Sequence, residues 1–313
     1  MALRTAKSRA KWLIELLALE QPLQIADIGA RITKEVPVYK PLLDQGVAHL
    51  HGFEPEAVAF ENLKASAGEN VSVYPCAVGK PGPATFYAHH IGTLSSVFKF
   101  CASAANYLGK GFWVKRPITK HAMTLVALDE VEGFPDLDVL KMDTQGAEFD
   151  ILQGGVKTLA NCVMIIPEVR FYRMYEDEPM WADVDTEMRA QGFVLHKFIH
   201  QKSVVLPSSQ SSSHHKRRGS QLLDGDAVYI RNVEDCDALS THQLKALALA
   251  ADIVVQSYDL CAYCLEALKA RGAVPPSATR QYYGRLPADV LADQPSQDSA
   301  QDPAQEEAQN VDV

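Results

Sequence analysis

The 313-residue chain contains no long uninterrupted apolar run. The longest candidate, Trp12 to Leu19, is broken by Glu15, well short of the ~20 residues that a membrane-spanning helix needs. No membrane span is expected. The first twenty residues, "MALRTAKSRAKWLIELLALE", place bases before apolar residues as a leader does, yet they lack a continuous apolar core and a small-residue cleavage site. We read residues 1–22 as an amphipathic packing helix, with Arg4, Lys7, Arg9 and Lys11 on a solvated face above a core stripe. The six cysteines, at 76, 101, 162, 236, 261 and 264, lack the spacing of a disulfide framework, which points to a reducing, cytoplasmic setting. Cys261 and Cys264 resemble half a zinc site, but no second Cys or His pair accompanies them at ligand spacing, and a structural role is expected.

Bases are absent from the last stretch, 293–313, which holds six acids and is rich in Gln, Pro and Ala; disorder is expected there. Without it the formal charge of −9 falls to −3, with 33 acids against 30 bases, so nothing marks a nucleic-acid partner. A second low-complexity segment, 208–220, is serine-rich with a small basic cluster and reads as a solvated loop.

Glycine is scarce where a dinucleotide fold needs it. Strand-like runs at 23–29, 47–54, 70–76, 137–143, 162–168, 192–199 and 226–232 alternate with helical patterns, and several are almost continuously apolar, as strands covered on both faces must be. The expected fold class is therefore α/β: a Rossmann-like, seven-stranded, mostly parallel doubly wound sheet, with 233–292 as a helical extension packed on the same domain. Ligands of such sheets sit beyond the carboxyl ends of the strands, where strand order reverses. The first strand ends in Asp27-Ile28-Gly29-Ala30, and the second in Gly52-Phe53-Glu54-Pro55, an acid where ribose hydroxyls are gripped. After Gly29 the chain runs Ala30-Arg31-Ile32-Thr33, without the G-x-G-x-x-G that seats a pyrophosphate on a helix terminus. A nicotinamide dehydrogenase is disfavoured for that reason. A phosphate-free, positively charged nucleoside such as S-adenosyl-L-methionine suits these acids better.

"IADIGAR", "HGFEPEAVAFENL", "VYPCAVGKPG", "GTLSSV", "MTLVALDEV" and above all "LKMDTQGAEFDILQGG" resemble, in this order, the motifs of the FkbM-type S-adenosylmethionine-dependent methyltransferases. The likeness spans about Leu23 to Phe198 within a domain placed at 23–232, and "LLDGDAVYIRN" resembles the family's antiparallel last strand. The resemblance implies a class I methyltransferase fold that methylates a hydroxyl on a sugar or small metabolite. It implies cofactor contacts at Asp27, Gly29, Ala30, Arg31, Phe53, Glu54, Pro55, Ala77, Val78 and Asp143, and signature acids at Asp143, Glu148 and Glu168. Asp143 and Glu168 are candidates for positioning the acceptor or removing its proton; two or three carboxylates at strand ends also suit a divalent cation. Glu148 opens a helix, where any acid is favoured by the dipole. His89, His90 and His121 precede strand-like or closing segments.

The chain departs from the family pattern at Arg31 and Thr33, where Asn and Gly are usual, and at Gln145, where an acid is common. Those departures keep a second reading open, that of a methyltransferase-like binding or scaffolding protein without turnover. A small-molecule or glycan acceptor is the expected partner.

Overall fold

The computed structural model describes residues 2–29, 36–215 and 218–291. The expected disordered tail (293–313), Ala30, Arg31 and Thr33 of the first turn, and Lys216 and Arg217 of the basic loop lie outside the described residues.

Among the described residues ten strands form two sheets. In chain order they are β1 (Leu23–Ile28), β2 (Ala48–Phe53), β3 (Val71–Tyr74), β4 (Ala77–Val78), β5 (Gly82–His89), β6 (Ile118–Val126), β7 (Val139–Met142), β8 (Met164–Arg170), β9 (Phe193–Val204) and β10 (Gln221–Arg231). The large sheet has seven strands in the order β3-β2-β1-β7-β8-β10-β9. The first five are mutually parallel, while β10 runs antiparallel to both β8 and β9. This is the sheet of the class I methyltransferase fold, antiparallel element included. Its strands are apolar for a physical reason: β1, β7 and β8 are covered on both faces, so their side chains are nearly all buried. Strand order reverses at β1, which pairs with β2 on one side and β7 on the other. Asp27 therefore faces Gly52 and Lys141 in register, and the ends of β1, β2 and β7 open at one place.

The three-stranded sheet β4-β6-β5 stands beside this opening. It was not among the seven strand-like runs, because "ITKHAMTLV" is mostly exposed or half-exposed and carries no clean apolar signal.

Helices α1 (Ala2–Leu17), α2 (Lys40–Asp44), α3 (Ala57–Ser66), α4 (Ala102–Tyr107), α5 (Gly111–Val114), α6 (Glu148–Gln153), α7 (Trp181–Ala190), α8 (Thr241–Leu249), α9 (Tyr258–Ala270) and α10 (Ala278–Tyr283) complete the described elements of regular helix. Pro41 stands in the first turn of α2, where its missing N–H costs nothing, and the helix is only five residues long. α6 stops before Gly154 and Gly155; a Cβ on Gly155 would lie 2.9 Å from Leu128.

The terminal helices are part of the central core. Leu13 and Leu17 of α1 pack with Ile25, Met164, Leu247 and Leu265 in one cluster that spans the sheet face and the extension. A five-residue π-helical segment, Ala250–Val254, joins α8 towards α9 and buries Asp252. Here one expectation is corrected. Arg9 is not on the solvated face of α1: it is 4% exposed, and its Nε donates to Asp252 at 2.8 and 3.0 Å. The 3.6-residue period sets Arg9 above Leu13 and Leu17 on the buried stripe, where the partner carboxylate and the Tyr258 ring, 4.7 Å away, receive it. Cys261 and Cys264 are buried on α9 within the same core, a packing role. Among the described residues no helix is long and apolar enough to cross a membrane.

Candidate functional site

A cavity of about 900 Å³ opens where β1, β2 and β7 end. That volume is in the range of ordinary small-molecule sites, ~300–1,000 Å³. Its floor is Gly29, Asp143, Thr144 and Gln145; one side carries Phe53, Glu54 and Pro55; the turn into β4 adds Cys76, Ala77 and Val78. The small sheet closes the remaining wall through Phe86 of β5 and His121, Met123 and Leu125 of β6. Of the residues singled out from sequence, Gly29, Phe53, Glu54, Pro55, Ala77, Val78, Asp143 and His121 line this one space.

The floor is made by a close backbone approach. Gly29 has φ +90°, and a Cβ there would lie 2.1 Å from the Asp143 carbonyl oxygen, so only glycine lets the first strand's turn pass over the end of β7. The Asp143 N–H donates to the Ile28 carbonyl at 2.9 Å, extending the parallel pairing one residue past both strands. At the end of β2 the Glu54 carboxylate accepts from the Glu56 N–H at 3.0 Å, and Glu56 in turn caps α3, accepting from Val58 and Ala59. Both acids line the cavity, but only Glu56 caps the helix, which leaves Glu54 facing the open space.

Five residues singled out from sequence stand elsewhere. Asp27 lies at the end of β1, out of the cavity lining, with Oδ2 accepting from the Tyr39 hydroxyl at 2.5 Å. Burial pushes its carboxyl up, against the Tyr39 hydrogen bond and the nearby Lys141. Glu148, a signature acid taken as catalytic, is buried and turned away: Oε1 accepts from the Thr144 N–H (2.7 Å) and hydroxyl (2.9 Å), and Oε2 from the Gly146 N–H (2.9 Å). Its carboxylate shapes the 143–147 turn; three donors at a helix start claim it before any ligand can. Glu168 sits behind Gln145 instead of in the lining. His89 is also structural, Nδ1 accepting from Ile91 N–H and Nε2 facing the Trp113 carbonyl at 3.1 Å. His90 is exposed and outside the lining.

Sequence reasoning passed over the residue that joins these acids. Gln145 has φ +61°, a left-handed conformation costing of order 1–3 kcal/mol for a non-glycine residue, followed by Gly146 at +115°. Ser96 of the loop after β5 holds the strained turn by donating to the Gln145 carbonyl at 2.6 Å. Gln145 Nε2 donates to Asp143 Oδ1 (2.6 Å) and Glu168 Oε2 (2.7 Å), while its Oε1 accepts from Arg170 Nη2 (2.7 Å) and the Tyr175 hydroxyl (3.2 Å). The only advance signal was that Gln145 departs from the family's usual acid.

Behind it lies a buried charge cluster. Arg170 approaches Glu168 (2.7 Å), Asp224 (3.1 Å) and Glu178 (3.6 Å), and these carboxylates hold its guanidinium above its usual range despite burial. Lys202 also reaches Asp224 (3.3 Å), yet burial drives the Glu168 carboxyl well above its ordinary value, with Arg170 opposing and Asp143, Asp224 and Glu148 adding to the rise. Glu178 is pushed up to about 7, by burial first, against Arg170 and the N–H groups of Tyr175 and Met174. Because the folded pKa exceeds the ordinary 4.5, this stabilising contribution is full below about pH 4.5 and is lost as pH rises through 7. Glu178→Gln should flatten the fall in melting temperature across that window, measured by thermal unfolding at half-unit steps. Among the described residues no group of three His, Cys, Asp or Glu side chains stands ready to hold a metal ion.

The sequence model of a family described as the methyltransferase FkbM domain matches residues 27–195. No curated protein matches the chain. Among solved structures it is similar to magnesium protoporphyrin IX methyltransferase from Synechocystis PCC 6803 with bound SAM, at 11% identity over 73% of this chain and 79% of that one, with a TM-score of 0.33. It is similar also to precorrin-6y C5,15-methyltransferase from Geobacter metallireducens GS-15 (10% identity, 71% and 87% covered, TM-score 0.32) and to M. jannaschii TYW2 in complex with AdoMet (13%, 73% and 77%, TM-score 0.31).

Proposed function

The chain belongs to the FkbM methyltransferase family, and from that premise we propose that its cavity binds S-adenosyl-L-methionine and directs the methyl group to a hydroxyl of a sugar or small metabolite. One observation carries the reading: Glu54 and Asp143 face a single, largely apolar cavity from the ends of β2 and β7, on either side of the Gly29 crossing.

The residues present fit the cofactor. Glu54 stands where a carboxylate accepts from ribose hydroxyls, and Phe53, Ala77 and Val78 offer apolar walls to a purine. Three carboxylates (Glu54, Glu56 and Asp143) and no lysine or arginine in the described lining suit a cation and repel a phosphate. S-adenosyl-L-methionine supplies, when bound, a methyl group already activated by a positive sulfur. What remains for the chain is to orient an acceptor, exclude water and accept a proton. Asp143 is the acid exposed on the cavity floor, with Oδ1 engaged by Gln145 and the second oxygen left for a ligand, so it is the group placed to take the proton of an acceptor hydroxyl. Glu168 supports it from behind.

Titration calorimetry with S-adenosylhomocysteine tests the cofactor. Wild type should bind it. Glu54→Ala should weaken binding about 10- to 100-fold, the loss of a charged acceptor from two hydroxyls at ~1.5–3 kcal/mol. Binding of NAD in its place, or of neither compound, would defeat the proposal.

A further inference from the structure

We propose that Gln145 is a positioning residue for this reaction, its carboxamide holding the Asp143 carboxylate aimed at the place where the methyl group is transferred. The inference rests on the functional reading above and adds to it a residue that acts through Asp143.

The geometry leaves the carboxamide a single orientation. Arg170 and the Tyr175 hydroxyl lie on one side of the group, and the arginine can only donate, so Oε1 must face them. Nε2 then points at two carboxylates, and each of its hydrogens has an acceptor: Asp143 Oδ1 at 2.6 Å and Glu168 Oε2 at 2.7 Å. Both donors and the acceptor oxygen are used, so rotation of the group would break four contacts together. The backbone is held with similar firmness, through the Ser96 hydroxyl on the Gln145 carbonyl and through Glu148 on the flanking N–H groups.

The residue type follows from the charges around it. Towards the floor, Asp143 is accompanied by Asp27 on β1, Lys141 on β7 and Glu148 on α6. From β8 come Glu168 and Arg170, and from the segment before α7 Glu178; β10 brings Asp224 and Asp226, the last paired with Lys141. Across the cavity stand Glu54 and His121. Acids outnumber bases in this set. A glutamate at 145 would set a third carboxylate against Asp143 and Glu168, whereas an aliphatic residue would leave Arg170 Nη2 and the Tyr175 hydroxyl without their shared acceptor. Glutamine bridges both acids and satisfies both donors.

An amine-bearing cofactor analogue reads the aim of Asp143 without an acceptor. In sinefungin a protonated amine replaces the methyl-bearing sulfonium; S-adenosylhomocysteine has no charge there. A carboxylate aimed at that point should make wild type bind sinefungin about ten-fold or more tighter than S-adenosylhomocysteine. In Gln145→Met, close to glutamine in length but without hydrogen bonds, the ratio should fall to about two-fold or less, as it should in Asp143→Asn. Gln145→Asn, too short to bridge the two carboxylates, repeats the test should the Met variant not fold. A ratio that survives in a folded Gln145 variant overturns the proposal, as does a wild type without preference between the two compounds. Failure of wild type to bind S-adenosylhomocysteine at all would instead strike the cofactor reading.

Discussion

Replacing Asp143 by Asn lowers turnover about 10²- to 10⁴-fold, the range over which a positioned proton acceptor accelerates such a step. Asn keeps the size of the side chain and an oxygen that can still accept from Gln145 Nε2, so the floor of the cavity keeps its shape. What is lost is the charge and basicity of the group exposed to an acceptor. The loss should therefore fall on kcat, with binding of S-adenosylhomocysteine within about three-fold of wild type, well under the ~1.4 kcal/mol of a ten-fold change. The measurement is transfer of labelled methyl to any hydroxylated acceptor that wild type turns over, beside calorimetry on the same preparations. Undiminished turnover in the Asn variant would remove Asp143 from proton transfer and leave orientation and water exclusion as the chain's contribution.

Arg9→Ala destabilises the protein by about 3–5 kcal/mol, although Arg9 is far from the cavity in the fold. The change strands Asp252, 1% exposed, in the core between α1, α9 and α10. Burial already pushes the Asp252 carboxyl up, and the Arg9 hydrogen bonds pull it back; the remaining protein partner is the Tyr282 hydroxyl at 3.3 Å. A drop in melting temperature on the order of ten degrees is expected for a chain of this size. Replacing the pair together with apolar residues of similar volume should recover most of it, since a filled core substitutes well for a buried ion pair. A single variant that melts with wild type would mean that Arg9 and Asp252 are solvated in solution. The same result would separate α1 from the core that it shares with Leu247 and Leu265.

Much of this architecture was readable from local pattern. A strand covered on both faces must be apolar, so "LQIADIG" and "LDVLKMD" announced central parallel strands, and the polar residues at their ends announced a site. Gly29, Glu54 and Asp143 were singled out because they stand at strand ends, and the structure brings all three to one cavity. The small sheet was not among the seven runs because β6 is largely exposed on its way past the cavity, and Phe86 and Met123 entered the wall with it.

The sequence by itself determined the doubly wound sheet, because periodicity is a local property that every copy of such a layer must satisfy, and its ordered motifs carried the resemblance to the family. Only the tertiary structure decided how the charges are used. Glu148 and Glu168 look alike in the sequence, yet the first closes on three donors of its own turn and the second joins Asp143 through Gln145. Arg9 looked solvated until α9 and the π-helical segment brought Asp252 and Tyr258 to it from 243 and 249 positions away. The partner of a charge is set by which elements pack together, and that information is spread over the whole chain, whereas the alternation that makes a strand is written within seven residues of it.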